Sequence, residues 1–271
     1  MRHVLLHFHI FKNAGSTIDW SLRRTFDNRF VDHRDDRAMV LGGMDYVRNI
    51  LAREINVEAM SSHYMAFDPQ YALQGIQHWY ICLLRKPLLR ALSVYEFEKI
   101  QSADTPGAVI AKQLDMRGYF EWSMGSDVSP VIRNFQTRYL CGVRGKGAYN
   151  LSETEFNKAL DQCRQHNVIV GFVERYDESM ALFEHVLCQH FKSLDLAYVI
   201  QNQSFYNNLE PVAYLKKNLG DILFSDLLGR NSMDVRLYES LERDFEARIA
   251  KIPNFESKVQ NLKTRSAALH D

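Results

Sequence analysis

A nearly unbroken apolar run, Val4-Leu5-Leu6-His7-Phe8-His9-Ile10-Phe11, stops at Lys12-Asn13-Ala14-Gly15-Ser16-Thr17, and Ile18, Leu22 and Phe26 follow at i, i+4, i+8. Consecutive apolar positions hide both faces of a strand, whereas apolar residues four apart hide one side of a helix. The stretch therefore predicts a buried strand, a tight turn and a helix. A helix start presents backbone N–H groups without intrahelical partners and the positive end of the dipole, so this arrangement suits a phosphate-like anion. Lys12 adds positive charge, and Ser16 and Thr17 are expected to cap the helix and donate hydrogen bonds. The turn is not a Walker A loop, which runs glycine, four residues, then Gly-Lys-Ser/Thr; here the lysine precedes a single glycine. An ordinary strand-to-helix turn with a solvated lysine is the alternative reading.

The chain has 271 residues, enough for one large α/β domain or two small ones. Lys+Arg and Asp+Glu are both 33, a balance that argues against bulk electrostatic binding of nucleic acid. The cysteines Cys82, Cys141, Cys163 and Cys188 form no CxxC pair, so they are expected as reduced, mostly buried thiols. No HExxH or similar spacing of the histidines predicts a metal site. No apolar run approaches the roughly 18 residues of a membrane span, and the start lacks a signal-peptide core. A cytoplasmic protein is expected, or a catalytic domain cut from something longer.

Further along, Asp27 to Arg37 is dense in charge and reads as a loop, with Arg29, Arg34 and Arg37 on a solvated face. Met44 to Glu54 reads as a short helix. Ala59 to Phe67 looks like a strand entering a loop, which puts His63 near a strand's C-terminal edge, where open α/β sheets bind ligands. His78-Trp79-Tyr80-Ile81-Cys82-Leu83-Leu84 is the best buried-strand candidate. Arg85-Lys86-Pro87 and a helix bearing Leu88, Leu92, Ser93 and Tyr95 follow it, making a second strand–turn–helix unit with a basic entry. Val109 to Met124 reads as one helix, its Tyr119, Phe120 and Trp122 suited to core packing or to a sugar face. Asn134, Thr137 and Arg138 form a polar stripe on a further helix. Ser152 and Glu155 make a capping box with Leu151 and Phe156 as its staple. Val168 to Val173 is another buried strand, leading to a helix capped by Asp177. From Pro211 the chain reads as helices, with Leu237, Leu241, Phe245 and Ile249 on one face. Strands alternating with helices give an α/β fold: one domain over residues 1–271 around a short parallel sheet, with a helix-rich C-terminal part.

Several of these pieces, in this order, resemble one family. His9-Ile10-Phe11-Lys12-Asn13-Ala14-Gly15-Ser16-Thr17 resembles the HIPKTGGTS loop of sulfotransferases that use 3′-phosphoadenosine 5′-phosphosulfate (PAPS). Leu84-Arg85-Lys86-Pro87-Leu88-Leu89-Arg90-Ala91-Leu92-Ser93-Val94-Tyr95 is similar to the family's LRDPVERALSxY segment. Asn134 to Leu140 resembles NxQTRxL, Val170 to Ser179 resembles VGLxERFDES, and Asn202-Gln203-Ser204 falls where a late NxS/T loop closes over the nucleotide. Ser61 to Phe67 is similar to the xGHxxF segment of the carbohydrate branch, which includes heparan-sulfate uronosyl 2-O-, 6-O- and chondroitin sulfotransferases. Phe11, Asn13 and Ala14 replace the usual proline, threonine and first glycine, and Lys86 replaces an acid.

The resemblance implies a P-loop-like three-layer fold and sulfuryl transfer from PAPS to an acceptor hydroxyl, on a small molecule or glycan. It implies a nucleotide-binding set of Lys12, Asn13, Ala14, Gly15, Ser16, Thr17, Arg85, Ser93, Arg138, Asn202 and Ser204. Within that set, Arg85 and Ser93 grip the 3′-phosphate. It makes Lys12 and His63 the catalytic pair, with His63 as base, and implies no metal. The rival readings are a P-loop nucleotide kinase and a non-catalytic nucleotide- or glycan-binding module on the same fold.

Overall fold

The computed structural model describes residues 1–33, 36–143, 151–201 and 210–269. Along the chain run β1 (Arg2–Phe8), α1 (Gly15–Phe26), β2 (Phe30–Asp32), α2 (Asp36–Arg53), β3 (Ala59–Ser62), β4 (Ile76–Leu84), α3 (Pro87–Ile100), α4 (Pro106–Gln113) and α5 (Met116–Ser123). Then come α6 (Phe135–Leu140), α7 (Glu153–Cys163), β5 (Val168–Phe172), α8 (Tyr176–Leu187), α9 (Pro211–Gly229), α10 (Ser232–Ile249) and α11 (Phe255–Ala267). The chain divides into two compact units. One comprises Met1–Leu84, Leu160–Asn202 and Ser240–Asp271; the other comprises Arg85–Ala159 and Gln203–Glu239.

The first unit holds the sheet. Five strands, all parallel, lie in the order β2-β3-β1-β4-β5. The strand read from the first residues is the central one. Val4 to Phe8 of β1 and His78 to Leu84 of β4 are buried on consecutive positions, as helices over both faces of a parallel sheet require. Ile18, Leu22 and Phe26 of α1 are fully buried, so the helical face read from their spacing is the one that packs. Gly171 in β5 leaves room for α8: an added Cβ would stand 2.6 Å from Ser179 Cβ. The Ser179 hydroxyl takes the Phe172 N–H at 2.8 Å, so the Gly171–Ser179 motif fastens β5 to α8. The α/β architecture expected from the sequence, a short parallel sheet with flanking helices and a helix-rich C-terminal part, is the one observed.

Local readings are corrected in four places. Asp27 to Arg37 is not all loop: Asp27–Arg29 is a 3-10 turn, Phe30–Asp32 is the edge strand β2, and α2 begins at Asp36. Two apolar residues among charges are enough for a short edge strand, where charge is tolerated. The helix read from Met44 is the second part of α2, which kinks at Gly43 (φ 51°). Val109 to Met124 is broken into α4 and α5, because the Asp115 side chain accepts the Gly118 N–H at 2.8 Å and starts a new helix. Asp177 lies inside α8, which has Arg175 at its N-cap; its carboxylate accepts from the Tyr198 hydroxyl at 2.7 Å instead.

The second unit is helical. Tyr95, Tyr119 and Phe120 are buried and meet ring to ring, with Tyr119 also against Trp122, so the Tyr119 and Phe120 rings are core. Among the described residues no helix is long and apolar enough to cross a membrane.

Candidate functional site

The turn after β1 takes an uncommon backbone path. Lys12 (φ 66°) and Ala14 (φ 57°, ψ 21°) both lie in the left-handed region, and Gly15 begins α1. A left-handed residue followed by a right-handed one points successive N–H groups into one concavity, a nest for anions. Capping by Ser16 or Thr17 is not observed: the N-cap is Ala14, with no side-chain cap. The Thr17 N–H turns back to Ala14 O at 3.1 Å, and its hydroxyl accepts from Gln201 N at 3.1 Å. The open end of α1 is therefore made by Gly15 and the exposed Ser16. Buried Asn13 fixes the loop, its amide donating to Leu83 O at 2.6 Å and its N–H to Ile10 O at 3.2 Å.

His63 belongs to the same unit, and strand register explains its position. Phe8 of β1 pairs with Ser62 of β3, so His9 and His63 are the next residues on two parallel strands. Their rings lie 3.9 Å apart, centroid to centroid. His63 Nδ1 is 2.8 Å from His9 O. A carbonyl only accepts, so Nδ1 carries the hydrogen and Nε2 is the basic nitrogen of neutral His63. Phe11 meets the His63 ring edge-on at 6.3 Å, and Lys12 Nζ stands 6.0 Å from the Phe11 ring.

Beneath this pair is a cluster that sequence reasoning missed. Residues i and i+2 of a strand share a face, so His7 and His9 point the same way, toward Asp19 of α1. Asp19 Oδ1 is 2.7 Å from His7 Nδ1 and Asp19 Oδ2 is 2.9 Å from His9 Nδ1. Ser61, paired with His7 in register, approaches His7 Nδ1 at 3.0 Å. Burial works against the Asp19 carboxylate, but the charge and hydrogen bond of His7 and the hydrogen bond of His9 overrule it and hold the group below the usual carboxylate range. Burial pushes the His9 pKa down, against Asp19, and favours the neutral ring. The donor atoms of His7, His9 and Asp19 lie within 4.8 Å of one another. Each Nδ1 is already matched to a carboxylate oxygen, as in an oriented acid–histidine pair. The signal that could have found the cluster is His-x-His on one strand, Ser-x-His on the next and an acid one turn into the helix.

In the second unit, Arg85 is half-buried and both its backbone groups are clamped by Gln136. Arg85 N donates to Gln136 Oε1 and Gln136 Nε2 donates to Arg85 O, each at 2.9 Å. Gln136 is thus the residue of the Asn134–Arg138 stretch that holds the Arg85 backbone. Ser93 lies buried on α3 and Arg138 buried on α6. Asn134 and Thr137 are structural. Asn134 Oδ1 accepts from the N–H groups of Met233 and Asp234, at 3.0 and 3.1 Å, at the start of α10. Asp234 accepts from Thr137 N at 2.8 Å and from the Thr137 hydroxyl at 2.7 Å. Asn202 and Ser204 lie outside the described residues.

A hollow of about 870 Å³ opens at the opposite, N-terminal edge of the sheet. Its Arg2 guanidinium is taken up by the carbonyls of Leu51, Glu54 and Val57 at 2.6–2.8 Å, and Glu54 and Glu58 line it with Arg29 and Lys192. Mixed charge and a spent arginine give it no ligand preference.

No family model matches the chain. A protein of Archaeoglobus fulgidus described as uncharacterized is 28% identical over 247 residues, covering 89% of this chain and 96% of that one. A crystal structure of a sulfotransferase from Alicyclobacillus acidocaldarius is similar over 87% of this chain and 96% of its own, with a TM-score of 0.41 and 12% identity.

Proposed function

We propose that the chain is a sulfotransferase that moves the sulfuryl group of PAPS to an acceptor hydroxyl, on a carbohydrate or glycoconjugate. The observation that carries this reading is the joining, at the C-terminal ends of β1 and β3, of an anion nest bearing Lys12 with a histidine whose Nδ1–H is fixed on a carbonyl. An anion cradle alone fits any phosphate ligand; a positioned base beside it fits transfer to a hydroxyl. In the proposed reaction His63 Nε2 takes the acceptor proton as the oxygen attacks sulfur in line. Negative charge then grows on the oxygen that bridges sulfur to the departing phosphate, and Lys12 with the Gly15 and Ser16 N–H groups meets it. The resemblance assigns the 3′-phosphate to Arg85, held by Gln136, and to Ser93. It also assigns Arg138, Asn202 and Ser204 to the nucleotide.

Thermal shift with the desulfated nucleotide PAP, set against ATP plus magnesium, tests the ligand, and acceptor-dependent release of PAP across a panel of oligosaccharides, small alcohols and phenols tests the reaction. PAP is expected to stabilise the protein and ATP–magnesium to leave it unchanged; the reverse result would favour a nucleotide kinase. Lys12→Ala and His63→Ala are each expected to lower turnover by about 10²-fold or more. His63→Ala should leave the PAP shift largely intact. Full turnover in either variant would remove that residue from its role, and PAP binding with no turnover on any acceptor would favour a binding module.

A further inference from the structure

Three imidazoles and one carboxylate form a file inward from His63. The His63 ring lies tilted against His9, centroids 3.9 Å apart with 39° between planes, and His9 stacks on His7 at 5.2 Å and 23°. Asp19, 6% exposed, closes the file by bonding the Nδ1 atoms of both inner rings. A carboxylate accepts only, so the hydrogen on His9 Nδ1 faces Asp19, while the His9 ring packs at a tilt against His63. Gly15 leaves room for the ring: a Cβ there would stand 2.1 Å from His9 Cδ2. The groups around the pair are His7 from β1, Asp19 from α1, Asp32 of β2 acting on His9 through its charge, Ser61 and Tyr64 from the β3 stretch, and Phe11 and Lys12 from the loop.

We propose that His9 and Asp19 are positioning residues that stabilise the His63 imidazolium formed during transfer, His9 through the ring packed closely against it and Asp19 by its negative charge behind His9. The inference rests on His63 being the base. In that step the acceptor O–H bond breaks as the new O–S bond forms and the S–O bond to phosphate breaks. The proton passes to His63 Nε2, and the electron pair leaves on the phosphate of PAP. His63 then carries a full positive charge with its Nδ1–H still on His9 O. A ring face under a cation is attractive, and a carboxylate in a buried setting acts at greater range than in water. Burial that keeps His9 neutral spares His63 a second cation at stacking distance.

The test follows His63 itself, by NMR of the histidine side-chain nitrogens across pH, in the full chain and in two variants. Asp19→Asn removes the charge. His9→Asn keeps an amide able to meet Asp19 but removes the ring. The His63 midpoint is expected to fall by about 0.5 to 1 pH unit in each variant. The acid limb of kcat/KM should move with it, while the PAP dissociation constant stays within about twofold. Midpoints within about 0.2 unit of the parent in folded variants would overturn the proposal. If Asp19→Asn does not fold, His9→Asn decides alone. A midpoint that moves while the rate profile does not would leave the stack standing and remove His63 as the base. His63→Ala with full turnover would do the same.

Discussion

At Gly15 the absence of a side chain has a local cause. An added methyl would meet His9 Nε2 at 2.3 Å, in a ring held from behind by Asp19 and from above by His63. Gly15→Ala is therefore expected to cost about 1–3 kcal/mol by overpacking, read as a lower denaturant midpoint. Gly229→Ala, with nothing within 4 Å of the new atom, serves as the control and should lose no stability. The family-like glycine was legible in the sequence; its reason was not. His9 and Asp19 meet because a strand and the helix after it cross at a particular place, and the nine intervening residues give no sign of where. The place of His63 near a strand's C-terminal edge was legible from the sequence, its role as base was read only from the resemblance, and strand register supplies the physics of the place: one residue beyond Ser62, beside one residue beyond Phe8.

Between elements, α6 and α10 start each other. Asn134, left-handed at φ 44°, caps α10, and Asp234 returns the cap to α6 by accepting from Gln136 N at 3.1 Å as well as from Thr137. Asp234→Ala strips one buried helix start of its acceptor, and a loss of about 2–3 kcal/mol is expected in equilibrium unfolding. Asp234→Asn, which keeps one acceptor oxygen, should lose less. Sequence reading saw Asn134 and Thr137 as a polar helix face because a cap formed with a partner about a hundred positions away has no local signature. The capping box was legible, since its partners are three apart: Ser152 N donates to Glu155 Oε2 at 2.7 Å. Long apolar strands were legible too, while β2, with two apolar residues, fell below any periodic signal.

For the whole chain, the α/β class follows from the alternation of strands and helices, but the division into units assembled from three and two separate segments does not, because no linker-like composition marks the joins. The cysteines report on how firmly the folded chain is closed. Burial pushes the Cys82 thiol up to about 12, raises Cys141 and lifts Cys163 well above the ordinary value, while Cys188 is exposed. Iodoacetamide at pH 8 is expected to add one label, at Cys188, to the native protein and four under denaturant, counted by intact mass. Rapid labelling of a second thiol would mean that the core opens far more often than this packing allows.

The tie from the Asn13 amide to Leu83 O fixes the loop's shape before any anion arrives. A receptor already shaped has no ordering step to limit capture, so arrival scales with ligand concentration. Preference among anions is then expressed as dwell time, with the ligand that fills the nest most fully being the slowest to leave.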